Sequence, residues 1–313
     1  MSGLPTSNLR QPENKKQTMD YRDKVFIKVA ENLSFSKAAK ELFISQPAVT
    51  KHIKELENNL KTSLFQRKGN KVFLTKSGKL TYNYLKKISR MYRELEFEIG
   101  ILNDTFKGVL RIGASSTISQ YVIPKVLAAF HKRYPKIELF LFNGNSFEME
   151  QKLLNNEIDI ALVENAASHP NIKYIDFSDD EIVTVSGCNS VYAKKKYISI
   201  SEFYEIPIVL REKGSGTLQV IKNAFAKQNI DFDKLNILIH LGSTEAIKNF
   251  LCDFDGIALV SEKSIEKELR LKEIVKLNVK NISLRRKFRV ATRQGYHASS
   301  SKLFIDFLFN YNL

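Results

Sequence analysis

Residues 35–79 have the sequence FSKAAKELFISQPAVTKHIKELENNLKTSLFQRKGNKVFLTKSGK, and this stretch decides the fold of the first third of the chain. Its apolar residues recur three or four positions apart, at Val49, Ile53, Leu56 and Leu60. That spacing places them on one stripe of a helix and predicts that the stripe is buried. Ser45 is a suitable N-cap for this helix, and Pro47 fits its first turn, where a backbone N–H has no partner within the helix.

Two shorter helical patterns and a hairpin flank this helix. The first helix is expected from Tyr21 to a turn near Asn32, and the second is expected to be capped by Ser36. Three short helices joined by brief turns predict a helix-turn-helix head. The segment LFQRKGNKVFLT (64–75) predicts two short strands around a turn at Lys68, Gly69 and Asn70, which is a wing.

The face of the third helix opposite the apolar stripe is polar and basic. Amides pair with adenine in the major groove, hydroxyls serve several bases, and lysines reach guanine or phosphate. Gln46 and Thr50 are therefore the predicted base readers, whereas Lys54 and the basic residues of the wing are predicted phosphate contacts. The full set of predicted DNA-binding residues is Ser45, Gln46, Pro47, Thr50, Lys51, Lys54, Arg67, Lys68 and Lys71.

Positive charge is concentrated in the same region. The whole chain carries a formal net charge of +15, and residues 40–90 hold twelve Lys or Arg against three Asp or Glu. Double-stranded DNA is the predicted partner, with a solvated basic surface as the alternative. Because no apolar run is long enough for a membrane span or a secretory signal, we expect a cytoplasmic protein with no membrane partner. Residues 1–18 are expected to be a disordered leader.

A long apolar seam follows the wing. Its members lie three or four positions apart over about seven helical turns: Leu80, Tyr84, Ile88, Met91, Leu95, Ile99 and Leu102. A single helix cannot bury such a seam, so the pattern predicts a homodimer through this helix. Packing against the chain's own carboxyl-terminal domain is the alternative.

From Gly108 onwards, strand and helix patterns alternate, which predicts an α/β architecture with a mostly parallel sheet, and the length suggests two sheets. The two cysteines, Cys188 and Cys252, are in no metal-binding spacing and are predicted to be buried thiols; a redox pair is the alternative. The chain has no common catalytic motif, and its histidines have no metal-ligand spacing, so we expect neither an enzyme nor a metal or other cofactor.

Two polar segments suggest an effector site. Ser115, Ser116 and Thr117 come directly after the predicted strand VLRIGA (109–114) and before a helix, where hydroxyls and free N–H groups bind anions. The second segment is REKGSGT (211–217), in which Gly214 and Gly216 let the backbone approach a ligand and Ser215 and Thr217 open the next helix. If the two helix starts face one cleft, they favour a small anionic metabolite as effector; simple helix capping is the alternative.

The quoted stretch closely resembles the DNA-binding segment of LysR-type transcriptional regulators, whose pattern is roughly SFxxAAxxLxxSQPAxSxxIxxLExxLGxxLFxRxxRxxxLTxAG. The residues in register are Ser34, Phe35, Ala38, Ala39, Leu42, Ser45, Gln46, Pro47, Ala48, Ile53, Leu56, Glu57, Leu60, Leu64, Phe65, Arg67, Leu74, Thr75 and Gly78. Lys51 stands where the family often has Arg. Lysine has no guanidinium group and so cannot make the two parallel hydrogen bonds that Arg makes to guanine. Lys61, Asn156 and Phe254 stand where Gly is usual. The segment 241–261 and the Gly-Ser-Gly-Thr motif are similar to the family's carbon-fixation and sulfur-metabolism regulators.

The resemblance implies a winged helix-turn-helix at 19–76, a dimerisation helix at 77–107 and an effector domain at 108–313 with a periplasmic-binding-protein-like fold. Its lobe I is expected at about 108–181 and 287–313, and its lobe II at about 182–286, with two crossover strands between them. The resemblance also implies association of dimers into tetramers, and RNA polymerase is a further candidate partner.

The predicted function is a sequence-specific transcriptional regulator whose promoter binding responds to a small anionic metabolite. Two alternatives belong to other classes. One is a solute-binding or enzymatic protein on the same two-lobed fold, and the other is a ligand-independent architectural DNA-binding protein.

Overall fold

The computed structural model of the chain describes residues 19–69, 71–103, 107–164, 169–195, 197–279, 282–295 and 299–311. The chain divides into two compact units, Met1–Leu95 and Glu96–Leu313. The predicted leader at 1–18 and Asn70 of the predicted wing turn lie outside the described residues.

The first unit contains the three predicted short helices and the predicted wing. Its elements are α1 (Tyr21–Asn32), α2 (Phe35–Glu41), α3 (Gln46–Leu60), β1 (Phe65–Lys68) and β2 (Lys71–Leu74). The two strands pair antiparallel, and Gly69 between them has φ +60°, a left-handed conformation that favours glycine. One expectation was wrong: Ser34, not Ser36, caps α2 by accepting the N–H of Lys37 at 3.3 Å. Ser36 already lies inside the first turn, because α2 begins two residues earlier than expected.

The buried stripe of α3 holds this unit together. Val49, Ile53 and Leu56 are buried among residues of α1 and α2, as the spacing predicted. The prediction was wrong for Leu60, which is 47% exposed because it is the last residue of α3 and lies beyond the packed part of the helix. The wing is tied to α3 by Glu57, whose Oε1 accepts the backbone N–H groups of Leu64 at 2.6 Å and Phe65 at 3.2 Å. A carboxylate at this point satisfies two donors that the start of a short strand leaves unpaired.

The seam helix α4 (Lys76–Leu102) begins directly after the wing. Its start is packed so closely that a Cβ on Gly78 would lie 2.0 Å from the carbonyl oxygen of Leu64, which explains the glycine. All seven predicted seam residues are exposed: Leu80, Tyr84, Ile88, Met91, Leu95, Ile99 and Leu102. Near its end, Phe97 is buried in the core of the second unit. The seam itself is therefore not covered by the described part of the single chain.

The second unit alternates strands and helices. Its strands are β3 (Gly108–Ser115), β4 (Ile137–Gly144), β5 (Ile160–Val163), β6 (Ile172–Gly187), β7 (Ile208–Arg211), β8 (Ile237–Leu241), β9 (Ile257–Ser261), β10 (Ile274–Leu277) and β11 (Leu284–Arg293). Its α-helices are α5 (Ile123–Arg133), α6 (Ser146–Leu154), α7 (Ile200–Glu205), α8 (Gly216–Lys227), α9 (Thr244–Leu251), α10 (Glu266–Leu271) and α11 (Ser299–Phe309). A π-helical turn, Ile118–Val122, precedes α5.

The described strands of the second unit form one continuous sheet, not the two sheets that the sequence suggested. The order is β4-β3-β5-β11-β6-β9-β7-β8, with β10 paired to β6. Pairing is parallel between β3 and its neighbours β4 and β5, and between β7 and its neighbours β8 and β9. The pairings made by β6 and β11 are antiparallel, so the sheet is mixed and not mostly parallel as expected. The expectation of two sheets failed because β6 and β11 run through both lobes as long antiparallel crossovers and join their strands.

The prediction of buried cysteines was wrong. Cys188 and Cys252 are both exposed. Cys188 follows the last residue of β6, and Cys252 is the C-cap of α9, so both thiols lie at the ends of elements rather than on an apolar stripe. The redox alternative stays a hypothesis.

Two positions where the resembled family usually has glycine adopt the conformation that glycine favours. Lys61, the C-cap of α3, has φ +52°, and Asn156 has φ +59°. Asn tolerates this region better than most residues, whereas Lys pays a conformational cost there. Lys61 thus adopts the left-handed turn conformation that glycine would take more easily.

Replacing Glu57 with Ala is expected to lower the free energy of unfolding of the first unit by about 2 kcal/mol, because two backbone donors lose their acceptor. Urea unfolding of the full chain, followed by circular dichroism, measures the change. Glu55→Ala on the same helix is the matched control, since its carboxylate makes only a long contact of 3.9 Å with His52. Equal losses for the two variants would contradict the role of Glu57.

Candidate DNA-binding and effector sites

The amino-terminal turn of α3 presents the predicted readers. Ser45 caps the helix by accepting the N–H of Ala48 at 3.3 Å, and Gln46 and Pro47 in the first turn are exposed. The Oε1 atom of Gln46 accepts a hydrogen bond from the hydroxyl of Ser36 at 3.0 Å. This contact orients the amide plane of Gln46 on the surface before any ligand binds, which lowers the entropy lost on binding.

One turn further along α3, the polar face continues. Lys51 and Lys54 are exposed, and Thr50 is half-buried. The hydroxyl of Thr50 donates to the carbonyl oxygen of Gln46 at 3.1 Å. Because its single proton is used in this way, the hydroxyl is available as an acceptor, for example for an amino group of adenine or cytosine.

The wing carries the remaining predicted DNA contacts. Arg67 and Lys68 at the end of β1 and Lys71 at the start of β2 are exposed. The guanidinium carbon of Arg67 lies 5.7 Å from the ring centroid of Phe35, which restrains the long side chain by a cation–π contact. In the first unit, the structure therefore presents an amide, an acceptor hydroxyl and several cations on α3 and the wing.

In the second unit, polar side chains meet where the strands of both lobes end. The Oε1 atom of Glu164, directly after β5, accepts the hydroxyl proton of Ser115 at 2.8 Å. Its Oε2 atom accepts from the hydroxyl of Thr217 at 3.0 Å and from Nη1 of Arg286 at 2.8 Å. Two of the predicted effector residues, one from each lobe, thus converge on a single buried carboxylate.

The electrostatics of this cluster favour an ionised Glu164. Burial alone would raise the pKa of Glu164, but the charge of Arg286 and the hydroxyl donors outweigh it and hold the pKa below its usual range. Arg286 also donates through Nε to Asp180 at 2.6 Å, and Asp180 accepts from the hydroxyl of Ser261 at 2.7 Å. Burial raises the pKa of Asp180, and the nearby Arg286 only partly offsets this.

A second buried cation, Arg211 at the end of β7, also links the two lobes. Its Nη2 donates to the hydroxyl of Ser116 in lobe I at 3.3 Å. Within lobe II it donates from Nε to Glu212 at 2.8 Å and from Nη1 to the hydroxyl of Thr244 at 3.4 Å. Arg211 is only 2% exposed, so its charge acts in a low-dielectric environment at the meeting point of the lobes.

The loop before α8 borders an open cavity. Gly214 has φ +94°, and its carbonyl oxygen accepts the N–H of Phe147 from lobe I at 3.4 Å. Ser215 caps α8 by accepting the N–H of Leu218 at 3.5 Å. A cavity of about 680 Å³ lies beside this loop, and its lining includes Phe147, Lys213, Gly214, Ser215, Gly216 and Lys222.

The predicted effector residues therefore fall into two groups. Gly214, Ser215 and Gly216 line the cavity, whereas the hydroxyls of Ser115, Ser116 and Thr217 are bonded to buried groups. Thr117 is buried at the start of the π-helical turn. Glu164, Arg211 and Arg286 were not among the residues predicted from the sequence. A signal existed for two of them, because Glu164 directly follows and Arg211 ends an apolar strand, the positions that face a cleft in an α/β sheet.

Other kinds of site are not apparent in the described residues. No group of three or more His, Cys, Asp or Glu there could hold a metal ion. No helix in the same part of the chain is long and apolar enough to cross a membrane.

A winged helix-turn-helix followed by a two-lobed α/β unit with polar crossovers defines a ligand-responsive DNA-binding regulator. Two family profiles match the chain, "Bacterial regulatory helix-turn-helix protein, lysR family" over residues 24–79 and "LysR substrate binding domain" over residues 103–311. The chain belongs to the LysR family of transcriptional regulators, and it is a DNA-binding regulator rather than an enzyme, as its sequence predicted.

Individual relatives agree with this assignment. The chain is 33% identical to a probable RuBisCO transcriptional regulator of Thalassiosira pseudonana, over 92% of this chain and 94% of the relative. It is 32% identical to the regulator CysL of Bacillus subtilis, over 84% of this chain and 87% of the relative. Both relatives are transcriptional regulators, the class of protein that the sequence resembles.

Solved structures show the same fold. The CcmR regulatory domain of Synechocystis, in complex with 2-PG, is 28% identical with a TM-score of 0.59, over 64% of this chain and 96% of that domain. Full-length CbnR in complex with its target DNA is 18% identical with a TM-score of 0.66, over 92% of this chain and 98% of CbnR.

Replacing Glu164 with Gln is expected to destabilise the second unit at pH 7 by about 3 kcal/mol, because Arg286 loses an anionic partner in a buried site. The folded-state pKa of Glu164 is depressed, so its stabilising contribution is present above the unfolded pKa of about 4.3 and is lost as the pH falls through the folded-state pKa. The difference between wild type and variant should therefore shrink at pH 3.5.

Differential scanning calorimetry at pH 7 and pH 3.5 measures both differences. Glu138→Gln, at an exposed position of β4, serves as control and should show little change at either pH. A loss for Glu164→Gln that is as large at pH 3.5 as at pH 7 would show that the ionised carboxylate is not what stabilises the unit.

Proposed function

We propose that this regulator recognises its promoter through the exposed face of α3, with the wing holding the phosphate backbone. One observation carries this proposal: α3 buries Val49, Ile53 and Leu56 and leaves Gln46, Lys51 and Lys54 exposed. In a helix-turn-helix, the helix that follows the turn enters the major groove with its amino-terminal residues at the base edges. Here that helix is α3. Gln46 and Thr50 are the assigned base readers, and Lys54, Arg67, Lys68 and Lys71 are the assigned phosphate contacts.

The active species is proposed to be a homodimer paired through α4. The seven seam residues leave an apolar stripe exposed along the helix, and a second copy of α4 supplies the matching surface. A dimer with twofold symmetry presents two equivalent DNA-binding heads, so its operator is expected to have pseudo-twofold symmetry as well. The same proposal includes further association of dimers into tetramers and contact with RNA polymerase. It also places the protein in the cytoplasm, where promoter DNA is found.

A small anionic metabolite is proposed to bind in the cavity beside the loop at Gly214. Lys213 and Lys222 line this cavity, and the free N–H groups at the start of α8 lie at Gly216 and Thr217. Glu150 and Glu212 also line it, but Glu150 accepts from Tyr174 at 2.7 Å and Glu212 is paired with Arg211. The CcmR regulatory domain, solved with 2-PG, supports a small-molecule effector in this fold.

Effector binding is proposed to act through contacts that cross between the lobes. Arg211 reaches Ser116, and the hydroxyl of Tyr121 in lobe I donates to Glu245 in lobe II at 2.5 Å. A ligand that binds more tightly to one lobe arrangement shifts the population towards it. In the dimer, this changes the spacing of the two heads and the bend that they impose on DNA.

The division of labour within the DNA-binding face gives a direct test. Gln46→Ala is expected to reduce discrimination between selected and random duplexes by about tenfold, with little loss on random DNA. Lys68→Ala is expected to weaken both equally and to flatten the dependence of affinity on salt by about one unit of slope. Fluorescence anisotropy with duplexes selected by the full chain measures both. Equal losses on selected and random DNA for both variants would contradict the assignment.

The effector proposal predicts a charge-dependent response of the cavity. Isothermal titration of the full chain with 2-PG, phosphate, sulfate and citrate should give saturable binding for at least one of these anions and none for glycerol. Lys222→Gln should weaken that binding about fivefold, as expected for losing a contact worth ~1 kcal/mol. Lys227→Gln is the matched control, because Lys227 lies on the same helix but does not line the cavity. Lack of heat for every anion would favour the ligand-independent architectural protein.

A further inference from the structure

Phe43 has a larger exposed fraction, 94%, than any other large apolar side chain in the described residues. It lies in the turn that joins α2 to α3, two residues before the cap Ser45. The ring is not part of the hydrophobic core of the first unit. Full exposure of an aromatic ring forgoes the burial that normally stabilises such a residue, so packing does not explain Phe at this position.

The backbone at Phe43 is also in an unfavourable conformation. Its φ of +54° lies in the left-handed region, where glycine or asparagine is preferred. The turn is held in place by hydrogen bonds from the N–H of Phe43 to the carbonyl of Lys40 at 3.3 Å and from Ile44 to Ala39 at 3.1 Å. The protein therefore presents an exposed aromatic ring on a fixed turn at a conformational cost. Strain that persists in this way is concentrated at functional positions.

The turn is next to the surface that meets DNA. Gln46 follows Phe43 by three residues and begins α3, whose amino-terminal end enters the major groove in helix-turn-helix proteins. On the major-groove edges of the bases, the apolar group is the C5-methyl of thymine, and the remaining groups are hydrogen-bond donors and acceptors. An exposed phenyl ring at this place thus has one complementary base.

We infer that Phe43 is a specificity-determining residue that packs its ring against the methyl group of a thymine next to the bases read by α3. This inference rests on the proposed DNA-reading role of α3 and names one further base that the head selects. Together with an adenine contact by Gln46, it makes each half-site rich in A·T pairs at the amino-terminal end of α3.

The same unit supplies a matched control. Leu33, at the end of α1, is also apolar, also left-handed with φ +45°, and 45% exposed. It lies in the turn between α1 and α2 rather than at the start of α3. Asn replaces either residue without conformational cost, so Phe43→Asn and Leu33→Asn should both have thermal midpoints no lower than that of the wild type.

The experiment selects duplexes from a random library with the full chain and then replaces single thymines by uracil, which lacks the methyl group. Each half-site should contain one thymine whose single replacement by uracil weakens binding of the wild type about fourfold, the effect of one buried methyl group. Phe43→Asn should bind the thymine duplex about fourfold more weakly than the wild type and should be insensitive to uracil at that position. Leu33→Asn should keep the wild-type response.

The outcomes separate this inference from the proposal on which it rests. If the selection enriches no sequence, the DNA-reading role of α3 fails and the assignment of Phe43 falls with it. If a sequence is enriched but uracil has no effect at any position, only the assignment of Phe43 falls. It also falls if Phe43→Asn remains sensitive to uracil, or if this variant loses affinity equally for selected and random DNA.

Discussion

The first unit depends on the fact that α3 can bury only one of its faces. Val49, Ile53 and Leu56 are needed by the core, and the loss of any of them would remove much of the small apolar area that holds three short helices together. The opposite face is therefore free to carry an amide and cations without competing with packing. Glu57 ties the wing to the same helix by accepting two backbone N–H groups, so one helix positions both sets of proposed DNA contacts.

The second unit is organised around ionic groups where its lobes meet. Glu164 joins Ser115 of lobe I to Thr217 of lobe II and to Arg286 on the crossover strand β11. The carboxylate of Glu164 thus accepts hydrogen bonds from the hydroxyls of Ser115 and Thr217, which an effector anion was expected to use. Breaking such a buried pair is costly, and the arrangement fixes the relative placement of the strands that carry it. The open cavity at Gly214, the proposed effector site, lies beside the same network, because Glu212 lines the cavity and is paired with Arg211.

Local patterns were predictable from the sequence, and long-range pairings were not. The apolar spacing of α3, the wing turn and the seam of α4 are properties of neighbouring residues, so they could be inferred before the structure. The partners of Glu164 are 49, 53 and 122 residues away along the chain, and no periodicity indicates them. The two-sheet expectation failed for a similar reason, since only the paired crossovers β6 and β11 reveal that the lobes share one sheet. The burial of the two cysteines was mispredicted because the residue type alone does not show that they lie at the ends of a strand and a helix.

Mapping the DNA sites bound by the full-length protein across the genome of its host, with footprinting at base resolution, tests the central claim most directly. If α3 reads base edges in a twofold dimer, the protein should occupy a limited number of sites that share A·T-containing half-sites related by pseudo-twofold symmetry. Uniform coverage without a shared sequence, or occupied sites whose protected bases do not repeat with that symmetry, would contradict recognition by α3.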